Sequence, residues 1–149
     1  MKVYVGADHG GFPYKAAVLE KIKSLGFEVH DKGAFTLDAN DDYPEFAFAV
    51  AEAVAAESGS KGILLCRSGA GMTIAANKVK AIRAVQVRSA EEVGHACEHN
   101  NANVITLSAD WLTQEEVLTL VEVFLSSDFS QEPRHLRRVI QISEYESKQ

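Results

Sequence analysis

The sequence has few cysteines, few basic residues and no long apolar run, and each shortage excludes a class of protein. Its two cysteines, Cys66 and Cys97, are too few for a disulfide framework, which favours a reducing, intracellular setting. Lys and Arg number 15 against 21 Asp and Glu, and the net charge of -6 argues against general nucleic-acid binding. A signal peptide or membrane span needs a longer apolar stretch, so we expect a cytoplasmic protein that does not enter a membrane.

The composition that remains is typical of one globular domain. The chain has 149 residues, of which 46% are hydrophobic and 24% are charged, so it can bury a core. We found no internal repeat, no low-complexity tract and no Pro/Gly linker. A single domain over residues 1–149 is therefore predicted.

Short β-rich runs alternate with longer helical stretches along the chain. Strands are predicted at residues 3–5, 27–30, 62–66, 83–87 and 103–107. Helices are predicted at residues 13–25, 44–57, 70–79, 90–98, 113–126 and 133–145. This alternation predicts an α/β fold in which right-handed crossovers build a five-stranded parallel sheet with helices on both faces.

Ligands of such sheets bind beyond the carboxyl ends of the strands. Three segments follow predicted strands in this way: residues 6–11, 66–73 and 106–110. Catalytic and ligand-binding residues are therefore expected in these segments.

The most informative segment is CRSGAGMTIAANK, residues 66–78. Its glycines allow a tight turn, and backbone N–H groups at the start of the following helix can stabilise an anion. Known loops of this kind do not match, since Ile74 replaces the third glycine of a dinucleotide fingerprint and Gly-Lys-Ser/Thr of a P-loop is absent. Cys66 also stands where a nucleophile elbow has its first glycine. An ordinary strand-to-helix turn stays an alternative.

Cys66 itself is a candidate base or nucleophile. Its place at a strand end, before a helix and beside Arg67, is expected to favour the thiolate. The alternative is a buried core thiol, which is the commoner fate of cysteine. Cys97 lies in the middle of a predicted helix and is interpreted as a packing residue.

Asp8 and His9 follow the first strand in GADHGG, at the same edge of the predicted sheet. Asp8 could simply cap the next helix, and His9 could be a surface residue. Two acid–base side chains between glycines favour a functional role.

Two further patterns lie in the second half of the chain. HACEH, from His95 to His99, matches the inverted zinc-protease motif, but no third ligand is evident on a later helix. PRHLRRV places Arg134 and Arg138 four residues apart on one helix face, which suits phosphate recognition. A solvated helix face would explain the arginines equally well.

Taken together, the sequence resembles the ribose-5-phosphate isomerase B family, which also includes galactose-6-phosphate isomerase subunits. The stretches that carry the resemblance occur in the family's order over nearly the whole chain: GADHGG, DDYPEFA, GILLCRSGAGMTIAANKVKAIRA, EHNNANVI and RHLRRV. The resemblance implies a three-layer Rossmann-like sandwich that forms a homodimer, or a tetramer built from it. It also implies isomerisation of an aldose phosphate through a cis-enediol, with no metal and no other cofactor.

The resemblance also implies catalytic roles. Cys66 would move a proton between C2 and C1 of the sugar, and Ser68 would help to move the O1/O2 proton. His99, with Asp8 nearby, would assist ring opening. The N–H groups that face the enediolate would belong to five consecutive residues: Gly69, Ala70, Gly71, Met72 and Thr73.

Substrate binding follows from the same resemblance. His9, Arg134 and Arg138 would hold the phosphate, partly across the dimer. Three further residues would line the sugar pocket: Asp42, Tyr43 and Asn100.

Three positions depart from the family pattern and bear on the substrate. Arg67 stands where many members have glycine, Met72 where some have a glutamate base, and Asp110 where an arginine often follows the last strand. Ribose 5-phosphate is the expected substrate, with a hexose 6-phosphate or another aldose phosphate as the alternative. Two alternative functions belong to other classes: a non-catalytic sugar-phosphate-binding module and a thiol hydrolase.

Overall fold

A five-stranded parallel sheet forms the centre of the structure, a computed structural model that describes all 149 residues. The strands are β1 (Lys2–Ala7), β2 (Glu28–Asp31), β3 (Lys61–Cys66), β4 (Ala84–Gln86) and β5 (Val104–Ser108). The helices are α1 (Phe12–Ser24), α2 (Tyr43–Ala56), α3 (Ala70–Ala76), α4 (Ala90–Asn100), α5 (Gln114–Ser126) and α6 (Pro133–Glu146). The predicted α/β fold with five parallel strands is confirmed.

Helices cover both faces of the sheet and make two separate cores. Helices α1, α4 and α5 pack on one face, while α2 and α3 pack on the other. β3 supplies both cores, since Ile63 and Leu65 face the first group and Leu64 and Cys66 face the second. This strand is apolar throughout because both of its faces are buried. The three-layer Rossmann-like sandwich is thus confirmed, with α6 packed outside it against α4.

Local sequence signals set most helix boundaries. Pro44 lies in the first turn of α2, and the Thr113 and Glu116 side chains form a reciprocal capping box at α5. Helix α3 ends at Ala76, three residues earlier than predicted, because the Asn77 side chain bonds the backbone of Ala84 through both its oxygen and its nitrogen, at 2.8 Å each. None of the helices is long and apolar enough to cross a membrane.

The strand order is β2-β1-β3-β5-β4, which reverses direction between β1 and β3. From β1 the chain passes to the strand on one side, and from β2 it returns to β3 on the other side. The connecting segments therefore diverge and open a crevice at the carboxyl ends of β1 and β3. This crevice lies where GADHGG and CRSGAGMT leave the sheet.

A buried ion pair fixes the end of β2 to α1, beneath the loop that leads to α2. The Lys15 side chain is 6% exposed and donates to both carboxylate oxygens of Asp31, at 2.9 Å each. It also donates to the carbonyl oxygen of Ala34, the start of that loop. Removing one member of a buried pair leaves the other group without its partner, which is strongly destabilising.

We expect Lys15→Met to lower the free energy of unfolding by about 3 kcal/mol, the lower end for such pairs because Asp31 is partly exposed. Lys23→Met is the matched control, since Lys23 pairs with Glu20 on the surface and should change stability by less than about 0.5 kcal/mol. Urea unfolding of both variants measures the difference. Equal losses of stability in the two variants would contradict the prediction that the buried Lys15–Asp31 pair contributes more than a surface pair.

Candidate active site

The carboxyl ends of β1 and β3 are held together by backbone contacts. The N–H of Asp8 donates to the carbonyl oxygen of Leu65 at 3.2 Å. Gly11 passes so close to β3 that a Cβ there would lie 2.3 Å from the same oxygen, so only glycine fits. The turn after β1 therefore lies directly beside Cys66.

The start of α2 closes a second side of this crevice. A Cβ added at Gly71 would lie 2.6 Å from the Tyr43 ring, so the ring rests on the backbone of the turn after β3. Asp42 precedes Tyr43 in extended conformation, and its exposed side chain makes no helix-capping bond. The structure thus brings the predicted residues Tyr43 and Gly71 together.

The Cys66 thiol lies in a buried pocket of amide donors. The residue is 4% exposed, and its Sγ accepts a hydrogen bond from the Gly69 N–H at 3.0 Å. Burial raises the pKa of this thiol, and the charge of Asp8 adds to the increase, whereas the N–H groups of Gly69, Met72 and Ser68 oppose it. The resting group is therefore a neutral thiol that already faces anion-stabilising donors.

The expectation that Arg67 favours the thiolate is wrong. The Arg67 side chain is 68% exposed and pairs with Asp110, with its Nε 3.2 Å from Oδ2, and the pKa of the Cys66 thiol is raised instead of lowered. Two positions that depart from the family pattern, Arg67 and Asp110, thus pair with each other across the ends of β3 and β5. The pairing explains why an acidic residue can follow β5 here.

Asp8 is buried and shapes the turn that follows β1. Its Oδ1 accepts the N–H groups of Gly10 and Gly11 at 2.9 and 3.1 Å. The simpler interpretation of Asp8 as a cap therefore also holds, since the Asp8 carbonyl accepts the Phe12 N–H at 2.8 Å in the turn that leads into α1. Burial raises the pKa of this carboxyl, and the two glycine bonds only partly oppose the change. Asp8 is thus a buried carboxyl whose charge acts on the neighbouring thiol.

His9 is half-buried and bonded to Asp41, a residue that sequence reasoning missed. Oδ1 of Asp41 accepts from the His9 backbone N–H at 3.0 Å and lies 2.6 Å from Nδ1 of the ring. This bond raises the pKa of His9, with Asp8 adding to the effect and nearby Arg67 opposing it. No motif signals the contact, because Asp41 and His9 lie in loops 32 residues apart.

Side chains of the turn after β3 brace its backbone. Ser68 Oγ accepts the Ala70 N–H at 3.3 Å. Thr73 Oγ1 bonds the Gly69 carbonyl at 2.9 Å and lies 2.6 Å from the hydroxyl of Thr106. Gln86, a second residue that the sequence did not reveal, donates to the Ser68 carbonyl at 2.6 Å.

His99 lies at the other edge of the sheet, within a stack of three histidines. Its ring centroid is 4.1 Å from those of both His95 and His135, and the His135 ring is stacked on it at 26°. Burial lowers the pKa of His99, and the two neighbouring histidines lower it further. His135 supplies the third histidine that the zinc hypothesis lacked, but its ring is stacked on that of His99, and the three histidines do not form a cluster whose ligand atoms could hold one metal ion. The zinc hypothesis therefore does not fit the geometry.

The remaining predicted residues lie with His99. Asn100 ends α4, the Ser130 N–H donates to the Glu98 carbonyl at 3.1 Å, and α6 follows with exposed Arg134 and Arg138. β5 has five residues, so at about 3.3 Å per residue roughly 15 Å separates this edge from Cys66. One chain therefore does not bring His99, Asn100 or the arginines to the thiol.

Known proteins resemble this chain over nearly its whole length. The sequence profile of the ribose/galactose isomerase family matches residues 3–142. Ribose-5-phosphate isomerase B of Mycobacterium tuberculosis is 42% identical over 98% of this chain and 90% of its own length. The chain belongs to the ribose/galactose isomerase family.

Solved structures of this family share the fold. Ribose-5-phosphate isomerase B of Mycoplasma genitalium, crystallised with bound ribulose-5-phosphate, is 40% identical with a TM-score of 0.95, and the match covers 99% of this chain and 97% of that one. The type B enzyme of Trypanosoma cruzi is 34% identical with the same TM-score, and the match covers both chains completely. The resemblance drawn from the sequence motifs is confirmed.

The surroundings of the thiol in this isomerase-family chain predict its titration. Because the pKa of Cys66 is raised, its thiolate should form only above the ordinary value of 9.0, and its alkylation rate should rise with pH over that range. The measurement is iodoacetamide labelling of intact protein against pH, with Cys66→Ala as the blank for Cys97. A labelling midpoint at neutral pH would show that the amide donors outweigh burial.

Proposed function

We propose that this chain isomerises ribose 5-phosphate to ribulose 5-phosphate through a cis-enediol. The observation that carries the proposal is the Cys66 sulfur, surrounded by amide donors and beside Asp8, at the switch point of a ribose/galactose isomerase fold. A relative that is 40% identical holds ribulose-5-phosphate, the product of this reaction. Residues 1–149 are proposed to act as one domain, in the cytoplasm, without a metal or other cofactor.

The reaction requires a base that removes a weakly acidic proton and returns it to the neighbouring carbon. Cys66 is placed for this task, since burial keeps water away and lets a proton taken from C2 return to C1. Ser68, whose hydroxyl lies on the same turn, is proposed to move the proton between O1 and O2. A positioned base of this kind contributes roughly 10²–10⁴-fold in rate.

The turn after β3 is proposed to stabilise the charge that develops on the enediolate. In the resting site the Gly69 and Met72 amides face the sulfur, so they lower the cost of forming the thiolate. The neutral thiol is proposed to pass its proton to the neighbouring Asp8 carboxylate first. Once the resulting thiolate takes the C2 proton, the amides from Gly69 to Thr73 are free to face the new negative charge. Each donor aimed at such a charge is worth roughly 3–4 kcal/mol.

A second copy of the chain is proposed to complete the site in a homodimer. His9 is the phosphate ligand on the thiol side, whereas His99, Asn100, Arg134 and Arg138 lie roughly 15 Å away at the opposite edge. Exposed apolar residues lie near both groups: Ile74 on α3, Phe48 on α2, and Leu136 and Ile140 on α6. An interface that buries these surfaces would set the α4–α6 edge of one copy against the crevice of the other.

In that arrangement each copy of the chain is proposed to contribute different residues to one site. His99, with its lowered pKa, is proposed to open the sugar ring together with Asp8 of the other copy. Arg134 and Arg138, four residues apart on α6, would grip the phosphate from the side opposite to His9. Holding the phosphate away from the reacting carbons orients the sugar, while Asp42 and Tyr43 line its pocket.

We expect Cys66→Ala to lower turnover of ribose 5-phosphate by at least roughly 10²-fold while binding is largely kept, because only the base is lost. Cys97→Ala is the matched control, since Cys97 is 2% exposed in the core beside α5 and should retain turnover. Steady-state rates and titration calorimetry separate the two effects.

Three results would contradict this assignment. Near-normal turnover of Cys66→Ala would remove the thiol from its role. Folded wild-type protein that binds ribose 5-phosphate without exchanging the C2 proton for solvent deuterium would be a binding module and not an isomerase. A covalent acyl adduct on Cys66 would instead indicate a thiol hydrolase.

The shared site predicts complementation between inactive variants. In co-expressed Cys66→Ala and His99→Asn chains, half of the dimers are mixed and each has one intact site, so activity should return to about one quarter of wild type. Cys66→Ala with Asp8→Asn is the control, because both defects lie on the same half and every site stays damaged. Equal activity of the two mixtures would exclude a site built from two copies.

A further inference from the structure

Asp41, a carboxylate in the loop before α2, bonds both the backbone and the ring of His9. Its side chain is only 8% exposed, and a single oxygen, Oδ1, takes both the His9 backbone N–H and the ring Nδ1. The loop that carries it is anchored by the Asp41 N–H, which donates to the Asp38 carbonyl at 3.1 Å. The contact therefore fixes both the backbone and the ring of His9.

The second oxygen of Asp41 is buried without a hydrogen-bond partner. A buried carboxylate oxygen in that condition is uncommon and costs free energy, which the two bonds of Oδ1 offset only in part. An unpartnered buried oxygen of this kind is expected when a residue such as Asp41 has a role in function and is not placed for stability alone.

The bond also decides which ring nitrogen is available. A distance of 2.6 Å between Nδ1 and a carboxylate oxygen requires the proton on Nδ1, so Nε2 is the atom left for a ligand. The His9 side chain is 31% exposed, so a ligand can reach the ring.

Three charged groups surround the ring, each from a different element. Asp8 comes from the end of β1 and is already bonded to two glycine amides, while Arg67 comes from the end of β3 and is paired with Asp110. Asp41, from the loop before α2, is the only one of the three that bonds the ring. It therefore controls the orientation and charge of His9.

We propose that Asp41 is a positioning residue that holds His9 with its Nε2–H directed at the substrate phosphate. This rests on the proposed function, in which His9 is the phosphate ligand on the thiol side. A charged imidazole held in this way donates a stronger hydrogen bond to a phosphate oxygen than a freely rotating neutral ring. Asp41 does not touch the substrate itself.

Asp8, His9 and Asp41 also have ligand atoms within 4.8 Å of one another, a spacing that a metal ion could use. Binding through Nδ1 would require loss of the proton shared with Asp41. We therefore favour the hydrogen-bonded pair and make the metal an outcome of the test.

The test is Asp41→Asn, which keeps the shape of the side chain and removes its charge. KM for ribose 5-phosphate should rise roughly 10-fold with kcat nearly unchanged, the scale of one hydrogen bond to a charged group. Since the raised pKa of His9 depends chiefly on Asp41, the variant should lose the His9 charge at lower pH, and its KM should begin to rise at lower pH than in wild type. Asp38→Asn, on the same loop and exposed, should leave both quantities unchanged.

A double variant separates positioning from a general structural effect. In the His9→Asn background, Asp41→Asn should have almost no further effect on KM, because it acts through His9. An additive loss in the double variant, or an unchanged His9 titration by NMR in Asp41→Asn, would overturn the proposal. So would loss of wild-type activity in a chelator that added zinc restores.

The NMR titration, together with inhibition or binding by inorganic phosphate, also keeps this proposal distinct from the proposed function. If wild-type protein failed to turn over ribose 5-phosphate, the isomerase assignment would fall. Weaker binding of inorganic phosphate in Asp41→Asn, with a lowered His9 midpoint, would still support the positioning role.

Discussion

Parallel pairing of β1 with β3 is the constraint on which the site depends. In this register Ala7 lies beside Leu65, so Asp8 and Cys66 leave the sheet at the same edge although they are far apart in sequence. The strand order reverses between these two strands, which draws the following helices apart and leaves a crevice between them. This pairing sets Asp8 and the turn after β1 beside the thiol.

Burial and local hydrogen bonds shift the pKa values of four titratable groups, of which three lie at that crevice and His99 lies at the opposite edge. Burial raises the pKa of Cys66 and of Asp8. Asp41 raises the pKa of His9, while burial and two neighbouring histidines lower that of His99. One histidine is thereby suited to bind an anion as a cation, and the other to accept a proton as a neutral ring.

The separation of His99 and the two arginines from Cys66 has a topological cause. A helix that follows a parallel strand runs back toward the amino edge, so the residues at the end of α4 lie a full strand length from the carboxyl edge. The histidine stack then ties the start of α6, with its arginines, to that same edge. Cations for an anionic substrate are thus present at both edges, and only contact with another copy would unite them.

The sequence by itself determined the fold class, the order of the elements and the residues at the strand ends, because hydrophobic periodicity and glycine-rich turns are local properties. It also identified the family, since motifs such as GADHGG and CRSGAGMT survive as contiguous strings. Tertiary structure alone decided that Arg67 pairs with Asp110 and leaves Cys66 without a cation, that Asp41 holds His9, and that His135 stacks on His99. These contacts join residues from separate loops and helices, and their formation depends on where the sheet places each element, which no local pattern encodes.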